Sequence, residues 1–409
     1  MLKSIIGKEI LLNLLSFKFS IITILFTIMI LASIFVMYRD YYLAMDNYEI
    51  LQKESEIRVA VVRPTPMSIF AKGLDANLCR SYEVGGASIE VGRKQQSVNK
   101  IFMLFTTPDL LYIVKIILSL CAMLFAFDVV CGEKEIGTLR QSLSNNLKRP
   151  ILIIGKWIGG FVSFILPFFL AVILGAIFVT LSPMVDMNVQ NWAKLGLFLL
   201  SSVIYLAVFF SLGLFISSLT HRSSTSLVVS LFAWIMLAFL IPNLGNILAR
   251  QFVRIPSALQ LKQTETQLDL RYNAEVRRDE SKRAEARARR ETELNKITED
   301  YRNRFDRLVK LSQYITRISP AAVFTFLATD IMGTGLLEEG RLKRAILQHA
   351  STLKNWDDEK GDRPGFIFKR SSVKEVLGPS SLRNFFILIV FNILLFTGAY
   401  VGFLRYDVR

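Results

Sequence analysis

The sequence predicts an all-α membrane protein, and the distribution of its residues leads to this fold class. Apolar residues make up 52% of the 409-residue chain and charged residues 20%. The apolar residues form long uninterrupted runs, whereas the charged residues are concentrated in a few dense blocks. This pattern excludes a soluble globular enzyme and a disordered chain, and it is typical of a multi-pass membrane protein with substantial parts outside the bilayer.

Six segments are apolar and long enough to cross a bilayer, which takes about 20 helical residues. These predicted spans are residues 19–38, 109–130, 157–181, 195–219, 225–248 and 385–404. The first span is interpreted as a permanent anchor, because its apolar core is too long for a signal peptide and no small-residue cleavage site follows it.

The short loops predict the orientation, since Lys and Arg favour the cytoplasmic side. The loop 131–156 contains Lys134, Arg140, Lys148 and Arg149, whereas the loop 182–194 contains a single Lys. Residues 131–156, the amino terminus and the tail 405–409 are therefore expected in the cytoplasm, and the protein in a plasma (bacterial inner) membrane.

The amino-terminal stretch 1–18 mixes Leu and Ile with Lys, Glu and Asn, so it is too polar to cross a bilayer. We expect an interfacial helix that lies on membrane lipid at the cytoplasmic surface. The alternative is a frayed extension of the first span.

Two larger segments are expected on the outer side. Residues 39–108 predict a small mixed α/β segment, in which Arg58–Arg63 is strand-like and Ser88–Val91 could pair with it. Residues 249–383 predict a large helical, coiled-coil-like insertion, since Val276–Glu293 alternates acidic and basic residues at helical spacing and an apolar stripe follows. This insertion would be a hairpin or helix pair that packs on itself or on a second copy.

The end of the insertion is less regular. Residues 321–337 are apolar but interrupted, and Gly333 and Gly335 predict a short helix that ends near the outer membrane surface. A re-entrant piece is the alternative. The net charge of +15 does not indicate nucleic acid binding, because the cations of the insertion alternate with Glu and Asp.

The residues also argue against an enzyme. Three Cys and two His provide no metal-binding pattern, and no hydrolase motif is present. Residues 132–138 superficially look like a phosphate-binding loop, but they lack the Lys that must follow the second glycine. We therefore expect no cofactor and no ATP bound by this chain, and no catalytic residue.

The segment 131–156 is nevertheless the most informative part of the sequence. Ile136, Leu139 and Leu143 recur at helical spacing, which is typical of a short amphipathic helix that could insert into a partner's groove. An ordinary basic loop is the alternative interpretation.

This segment resembles the signature of type-2 ATP-binding-cassette (ABC) exporter permeases. The matching residues are Glu133, Glu135, Gly137, Thr138, Leu139, Arg149 and Lys156. Arg317–Gly335 is similar to a run found in the subgroup with a large outer insertion between the last two spans.

The resemblance implies a permease subunit without its own ATP site. Its coupling helix would consist of Glu133, Lys134, Glu135, Ile136, Gly137, Thr138, Leu139 and Arg140. Glu133 and Glu135 would pair with cations of a cytoplasmic ABC ATPase dimer that binds ATP and Mg, and Ile136 and Leu139 would form an apolar knob. A second permease copy or a related permease would complete the transporter.

Polar residues inside the spans are further candidates. Lys115, Asp128 and Asn392 could line a pathway, because intramembrane polar groups are often functional. The alternative for Lys115 and Asp128 is that each side chain reaches the membrane surface.

Three functions remain open from the sequence. The first is ATP-driven export of a substrate that the sequence does not identify. The second is ATP-driven mechanical or assembly work on an extracytoplasmic partner, bound through residues 249–383. The third is a structural or signalling membrane protein that transports nothing.

Overall fold

The computed structural model describes residues 2–54, 59–79, 81–85, 88–91, 108–144, 148–278, 281, 283–354 and 365–405. The chain divides into two compact units, which are described separately. The first consists of Met1–Ile235 and Val323–Arg409, and the second of Met236–Ala322.

Six helical segments are long and apolar enough to cross a membrane, as the sequence predicts. They are Phe19–Lys53, Leu110–Ile136, Arg149–Thr180, Val189–Leu219, Ser223–Phe252 and Pro379–Leu404. The six predicted spans are confirmed as long apolar helices, but several of these helices extend beyond the predicted limits.

The first unit begins with two separate helices, α1 (Leu2–Leu14) and α2 (Phe17–Glu54). Ser16 separates them, since its hydroxyl donates to the Asn13 carbonyl at 2.6 Å and accepts from the Phe19 N–H at 3.3 Å. Residues 2–14 are therefore not an extension of the first span. Helix α2 continues past residue 38 to Glu54, because no Gly or Pro interrupts the sequence there.

A small three-stranded antiparallel sheet follows α2. Its strands are β1 (Val59–Val61), β2 (Ser81–Gly85) and β3 (Ser88–Val91), and α3 (Asp75–Leu78) lies between β1 and β2. The prediction that Ser88–Val91 pairs directly with the first strand was wrong, because β2 lies between β1 and β3 and pairs with both. The sequence favours this order, since only two residues separate β2 from β3, a length typical of a hairpin connection.

The second span is built from shorter pieces. These are α4 (Leu110–Tyr112), a π-helical segment (Ile113–Leu118), α5 (Ser119–Ala126) and α6 (Cys131–Ile136), after which α7 (Thr138–Ser144) begins. Helix α8 (Arg149–Thr180) starts earlier than the predicted residue 157, because Pro150 is favourable in a first helical turn. The predicted loop 131–156 is thus largely helical.

Helix α9 (Val189–Leu219) is the centre of the first unit. It packs against α5 and against α17 (Pro379–Leu404), while α8 packs against both α1 and α2. Tyr205, Phe209 and Phe210 of α9 are fully buried, and the Tyr205 ring stacks on Phe324 with 4.3 Å between centroids. Helix α10 (Ser223–Ile235) completes the membrane part of this unit.

The second unit consists of a π-helical segment (Met236–Leu240), α11 (Ile241–Phe252), α12 (Ala258–Arg278) and α13 (Arg283–Thr316). Helix α12 packs against α13 through Leu268, Tyr272 and Ala286, and Arg290 pairs with Asp269 at 2.6 Å. The two helices therefore pack on each other, one of the arrangements that the apolar stripe predicts.

The chain returns to the first unit within α14 (Pro320–Met332), followed by α15 (Leu336–Lys354) and α16 (Val373–Val376). Helices α14 and α15 are bent by 45° at their junction, a geometry that suits a broken span or a re-entrant loop. Gly333, with φ +67°, ends α14 where the sequence predicts.

Candidate functional site

The segment that resembles a coupling helix is two short helices separated by Gly137. Helix α6 ends because Gly137 adopts φ +85°, with its N–H donating to the Lys134 carbonyl at 3.3 Å. A glycine in this left-handed conformation is a common helix terminator. Ile136 and Leu139 consequently lie on different helices, so the prediction of one amphipathic face was wrong. The side chain of Leu143 lies outside the described part.

The start of α6 is fixed to the carboxyl end of α9. The N–H groups of Val130 and Cys131 both donate to the Ser217 hydroxyl at 3.0 Å. A single buried serine thus satisfies two of the amide groups that a helix amino terminus leaves without an intrahelical acceptor. Sequence reasoning missed Ser217, since nothing distinguishes it from the other serines of α9.

Two cations of the segment bind the last carbonyl groups of spanning helices. Lys134 Nζ donates to the carbonyls of Ser218 at 2.5 Å and Thr220 at 3.0 Å. Arg149 Nη1 donates to the Leu404 carbonyl at 2.8 Å. A cation at a helix carboxyl terminus is favourable because those carbonyls have no intrahelical donors and carry partial negative charge.

Glu135 also bonds within the chain. Its carboxylate accepts from the Ser223 N–H at 3.0 Å and from the Ser223 hydroxyl at 2.8 Å. Ser223 is the first residue of α10, so Glu135 places negative charge at a helix amino terminus. This contact connects α6 to the fifth span, and the expected pairing of Glu135 with an ATPase cation stays a prediction.

Lys156 joins three helices at a buried ion-pair junction. Its Nζ lies 2.7 Å from Glu133 Oε1 on α6 and 3.2 Å from Glu9 Oε1 on α1. Only 4% of the Lys156 side chain is exposed. Glu133 is therefore paired inside the chain, and Lys156 belongs to the interior of α8 and not to a loop. Sequence reasoning missed Glu9, whose partner is distant in sequence.

Ile136 and Leu139 have opposite environments. Leu139 is buried in a cluster that includes Val130, Leu152 and Phe403, so it is not part of an exposed knob. Ile136 is 78% exposed, and Gly137, Thr138 and Arg140 are also at the surface. Of the two residues expected to form the apolar knob, only Ile136 is accessible to a partner.

The polar residues inside the spans have separate contacts. Lys115 lies in the π-helical segment, with Nζ 5.9 Å from the Tyr112 ring centroid. Asp128 follows α5 in the turn that precedes α6. Asn392 accepts from the Ser211 hydroxyl at 2.9 Å and donates to the Ile204 carbonyl at 3.3 Å, which connects α17 to α9. Hydrogen bonds of this kind stabilise helix packing in membranes.

A second polar cluster was not predicted. Arg370 donates to Asp75 at 2.8 Å, to the Gly333 carbonyl at 3.1 Å and to the Arg63 carbonyl at 3.0 Å. Although burial disfavours its charged form, the nearby carboxyl of Asp75 raises the pKa of Arg370, so the guanidinium stays charged. Arg370 thereby connects three segments that are far apart in sequence.

In the part of the chain that the structure describes, no group of three or more His, Cys, Asp and Glu side chains could hold a metal ion. A search of curated proteins finds no match to the chain. The family model for ABC-2 family transporter proteins, by contrast, matches residues 3–408. Together with the six apolar spans, this match over nearly the whole sequence shows that the chain belongs to the ABC-2 transporter family, as the resemblance implied.

Proposed function

We propose that this protein is the permease subunit of an exporter-type ABC transporter, driven by a separate cytoplasmic ATPase dimer that binds ATP and Mg. The observation that carries the proposal is the exposure of Ile136 at the end of α6. The neighbouring side chains of Glu133, Lys134 and Glu135 bond to other helices of the chain. Helix α6 is therefore fixed to the membrane part and ends in an exposed apolar residue. An exposed apolar residue at a helix end suits insertion into a groove of a partner.

The contacts of α6 with the spanning helices would transmit a movement of α6 to the membrane part. Through Glu135, α6 contacts the start of α10, through Lys134 the end of α9, and through Glu133 the Lys156 of α8. A displacement of α6 by the ATPase would act on three spanning helices at once. We propose that this connection couples ATP hydrolysis to export, with a second permease copy or a related permease opposite.

The test is Ile136→Asp in a complex reconstituted with the ATPase. Truncating a hot-spot residue of an interface costs about 2 kcal/mol or more, and a buried charge adds to this cost. We expect stimulated ATP hydrolysis to fall at least tenfold, while membrane insertion and thermal stability stay unchanged.

Ile367→Asp is the matched control, because Ile367 is 91% exposed and belongs to the segment before α16. It should leave stimulation intact. Normal stimulation of ATP hydrolysis in the Ile136→Asp complex would show that α6 does not couple the ATPase to the permease.

A second function is favoured by the size of the α12–α13 pair. Helix α13 has 34 residues, about 50 Å at 1.5 Å per residue, and it is highly charged. Such a pair suits mechanical or assembly work on an extracytoplasmic partner. In that case, a chain lacking Ala258–Thr316 would keep ATPase stimulation but show the same cellular defect as Ile136→Asp. A deletion without that defect would exclude this function.

A further inference from the structure

The polar groups around Gly333 form a second candidate site, far in sequence from the segment 131–156. A Cβ added at Gly333 would lie 3.5 Å from Ser371 Oγ and 3.8 Å from Lys194 Nζ, so both groups border this glycine. Arg370 donates to the Gly333 carbonyl, and Thr334 is the next residue. We call Lys194, Thr334, Arg370 and Ser371 the Gly333 cluster.

Several polar atoms of the Gly333 cluster are buried without a partner among the described residues. They are Thr334 Oγ1, Ser371 Oγ and Arg370 Nε. Buried polar atoms in folded proteins are nearly always hydrogen-bonded, so three such atoms in residues that adjoin Gly333 or contact it are unusual. The groups share one property, since each can donate a hydrogen bond.

Lys194 adds a positive charge to the same place. It lies in the first turns of α9 and is only 4% exposed. No carboxylate among the described residues lies within ion-pair distance of its ammonium. A buried ammonium normally requires a compensating negative charge.

The neighbouring acidic groups are already engaged. Glu338 accepts from the Ser371 N–H at 3.1 Å and lies 3.4 Å from Arg341. Glu375 pairs with Arg341 at 3.1 Å, and Asp75 with Arg370 at 2.8 Å. Among the described residues, none of these carboxylates accepts a hydrogen bond from Thr334 Oγ1, Ser371 Oγ or Arg370 Nε.

We propose that the Gly333 cluster binds one oxyanion group, a phosphate or a carboxylate. The Lys194 ammonium supplies the charge, the Arg370 Nε–H a directed donor, and the hydroxyls of Thr334 and Ser371 two further hydrogen bonds. This combination is typical of oxyanion recognition. The missing side chain at Gly333 allows the group to approach the backbone. The oxyanion belongs to a free anion or to a lipid headgroup.

The experiment measures binding to the purified full-length chain. Inorganic phosphate and acetate are titrated calorimetrically against the protein in neutral detergent, and phosphatidylglycerol against phosphatidylcholine by native mass spectrometry. We expect one of these oxyanion probes to bind, and Lys194→Gln to weaken its affinity at least tenfold. Lys194→Arg, which keeps the charge, should retain most of the binding. Binding of phosphate or acetate would identify a free anion as the source, and selective binding of phosphatidylglycerol a lipid headgroup.

Lys343→Gln is the matched control, because Lys343 is exposed on α15 and pairs only one turn away with Glu339. Ser371→Ala and Thr334→Val test the site independently if Lys194→Gln does not fold. The proposal is overturned if none of the probes binds, or if Lys343→Gln weakens binding as much as Lys194→Gln. The result is independent of the ATPase, so it does not bear on the coupling role of Ile136.

Discussion

At the level of single residues, Lys156 shows that charges of the segment 131–156 are paired within the chain. Its ammonium is buried between Glu133 and Glu9, which remain partly exposed. Removing the cation leaves the carboxylates of Glu133 and Glu9 close together without their shared cation. A broken buried pair costs about 3–5 kcal/mol, and partial exposure of the acids lowers this cost.

We predict that Lys156→Met destabilises the purified protein by about 2 kcal/mol. Thermal unfolding of Lys156→Met, Glu133→Gln and the double variant forms a double-mutant cycle. The double variant should lose less stability than the sum of the losses in the two single variants. The exposed pair Lys343–Glu339 provides the control, since Lys343→Met should have almost no effect. An additive cycle would show that Lys156 and Glu133 do not interact.

Some of these residues were predictable and some were not. Glu133 and Lys156 stand out because they match the family signature, but sequence spacing does not show that they bind each other. Glu9 is 147 residues from Lys156, and a contact of this kind depends on the packing of α1 on α8. The roles of Ser217 and Ser223 likewise follow from tertiary structure, since serine is common in these helices.

Glu375 provides a pH-dependent prediction. Hydrogen bonds from the Ser372 backbone and the nearby Arg341 hold the pKa of Glu375 below its usual value. A folded-state pKa below the unfolded value means that the ionised group stabilises the fold above the unfolded pKa, about 4.3, and that this contribution is lost as the pH falls through the folded value.

We therefore expect Glu375→Gln to remove one component of acid destabilisation. The measurement is the melting temperature of both proteins between about pH 3 and pH 6, a range set by the ordinary pKa of Glu. The two curves should converge at the acid end. In an Arg341→Gln background, the difference in melting temperature between the proteins with and without Glu375→Gln should become smaller. It should not disappear, because the hydrogen bond from the Ser372 N–H remains. Parallel curves throughout would contradict the prediction.

At the level of elements, the packing of α1 on α8 depends on two glycines one turn apart. A Cβ at Gly155 would lie 3.2 Å from Ile5 Cβ, and a Cβ at Gly159 would lie 2.6 Å from Glu9 Cβ and 3.2 Å from the Ile6 carbonyl. Small residues at this spacing let two helices approach closely. The close approach also places Glu9 within reach of Lys156.

We predict that Gly159→Ala displaces α1 and destabilises the protein by about 1–3 kcal/mol, the usual cost of overpacking. A thiol introduced as Ile6→Cys should at the same time become more reactive towards maleimide. Gly196→Ala in α9 is the matched control, because no atom lies within 4 Å of its added Cβ. That variant should be neutral or more stable, by up to about 1 kcal/mol. Equal effects of the two substitutions would argue against a close α1–α8 contact.

The elements themselves were predicted better than their ends. The six apolar runs identify the spans because a bilayer requires continuous hydrophobic length. Helix α2 extends to Glu54 through a stretch whose polar residues hide the helix from a hydropathy criterion. The burial of Leu139 was missed because its periodicity with Ile136 assumed one helix, whereas Gly137 ends α6 between them.

At the level of the whole molecule, the orientation rests on the basic loops and on the number of spans. Three spans, α8, α9 and the segment Ser223–Phe252, separate Ser144 from Ser281 in the chain. An odd number of crossings places the two residues on opposite sides of the membrane. The bent pair of α14 and α15 is either a re-entrant loop or a seventh span. If the pair crosses the membrane completely, Ser281 and Ser351 lie on opposite sides.

We predict that Ser144 faces the cytoplasm and that Ser281 and Ser351 both face the outer side. Each is replaced by Cys in a chain whose Cys79, Cys121 and Cys131 are changed to Ser, and intact cells are treated with a membrane-impermeant maleimide. Ser281→Cys and Ser351→Cys should be labelled directly, and Ser144→Cys only after permeabilisation. Labelling of Ser144→Cys in intact cells would reverse the predicted orientation and place Ile136 on the outer side, where it could not contact the proposed cytoplasmic ATPase. If Ser281→Cys reacts and Ser351→Cys does not, α14 and α15 form a seventh span instead of a re-entrant loop. All three positions are exposed serines, so differences in labelling report sidedness.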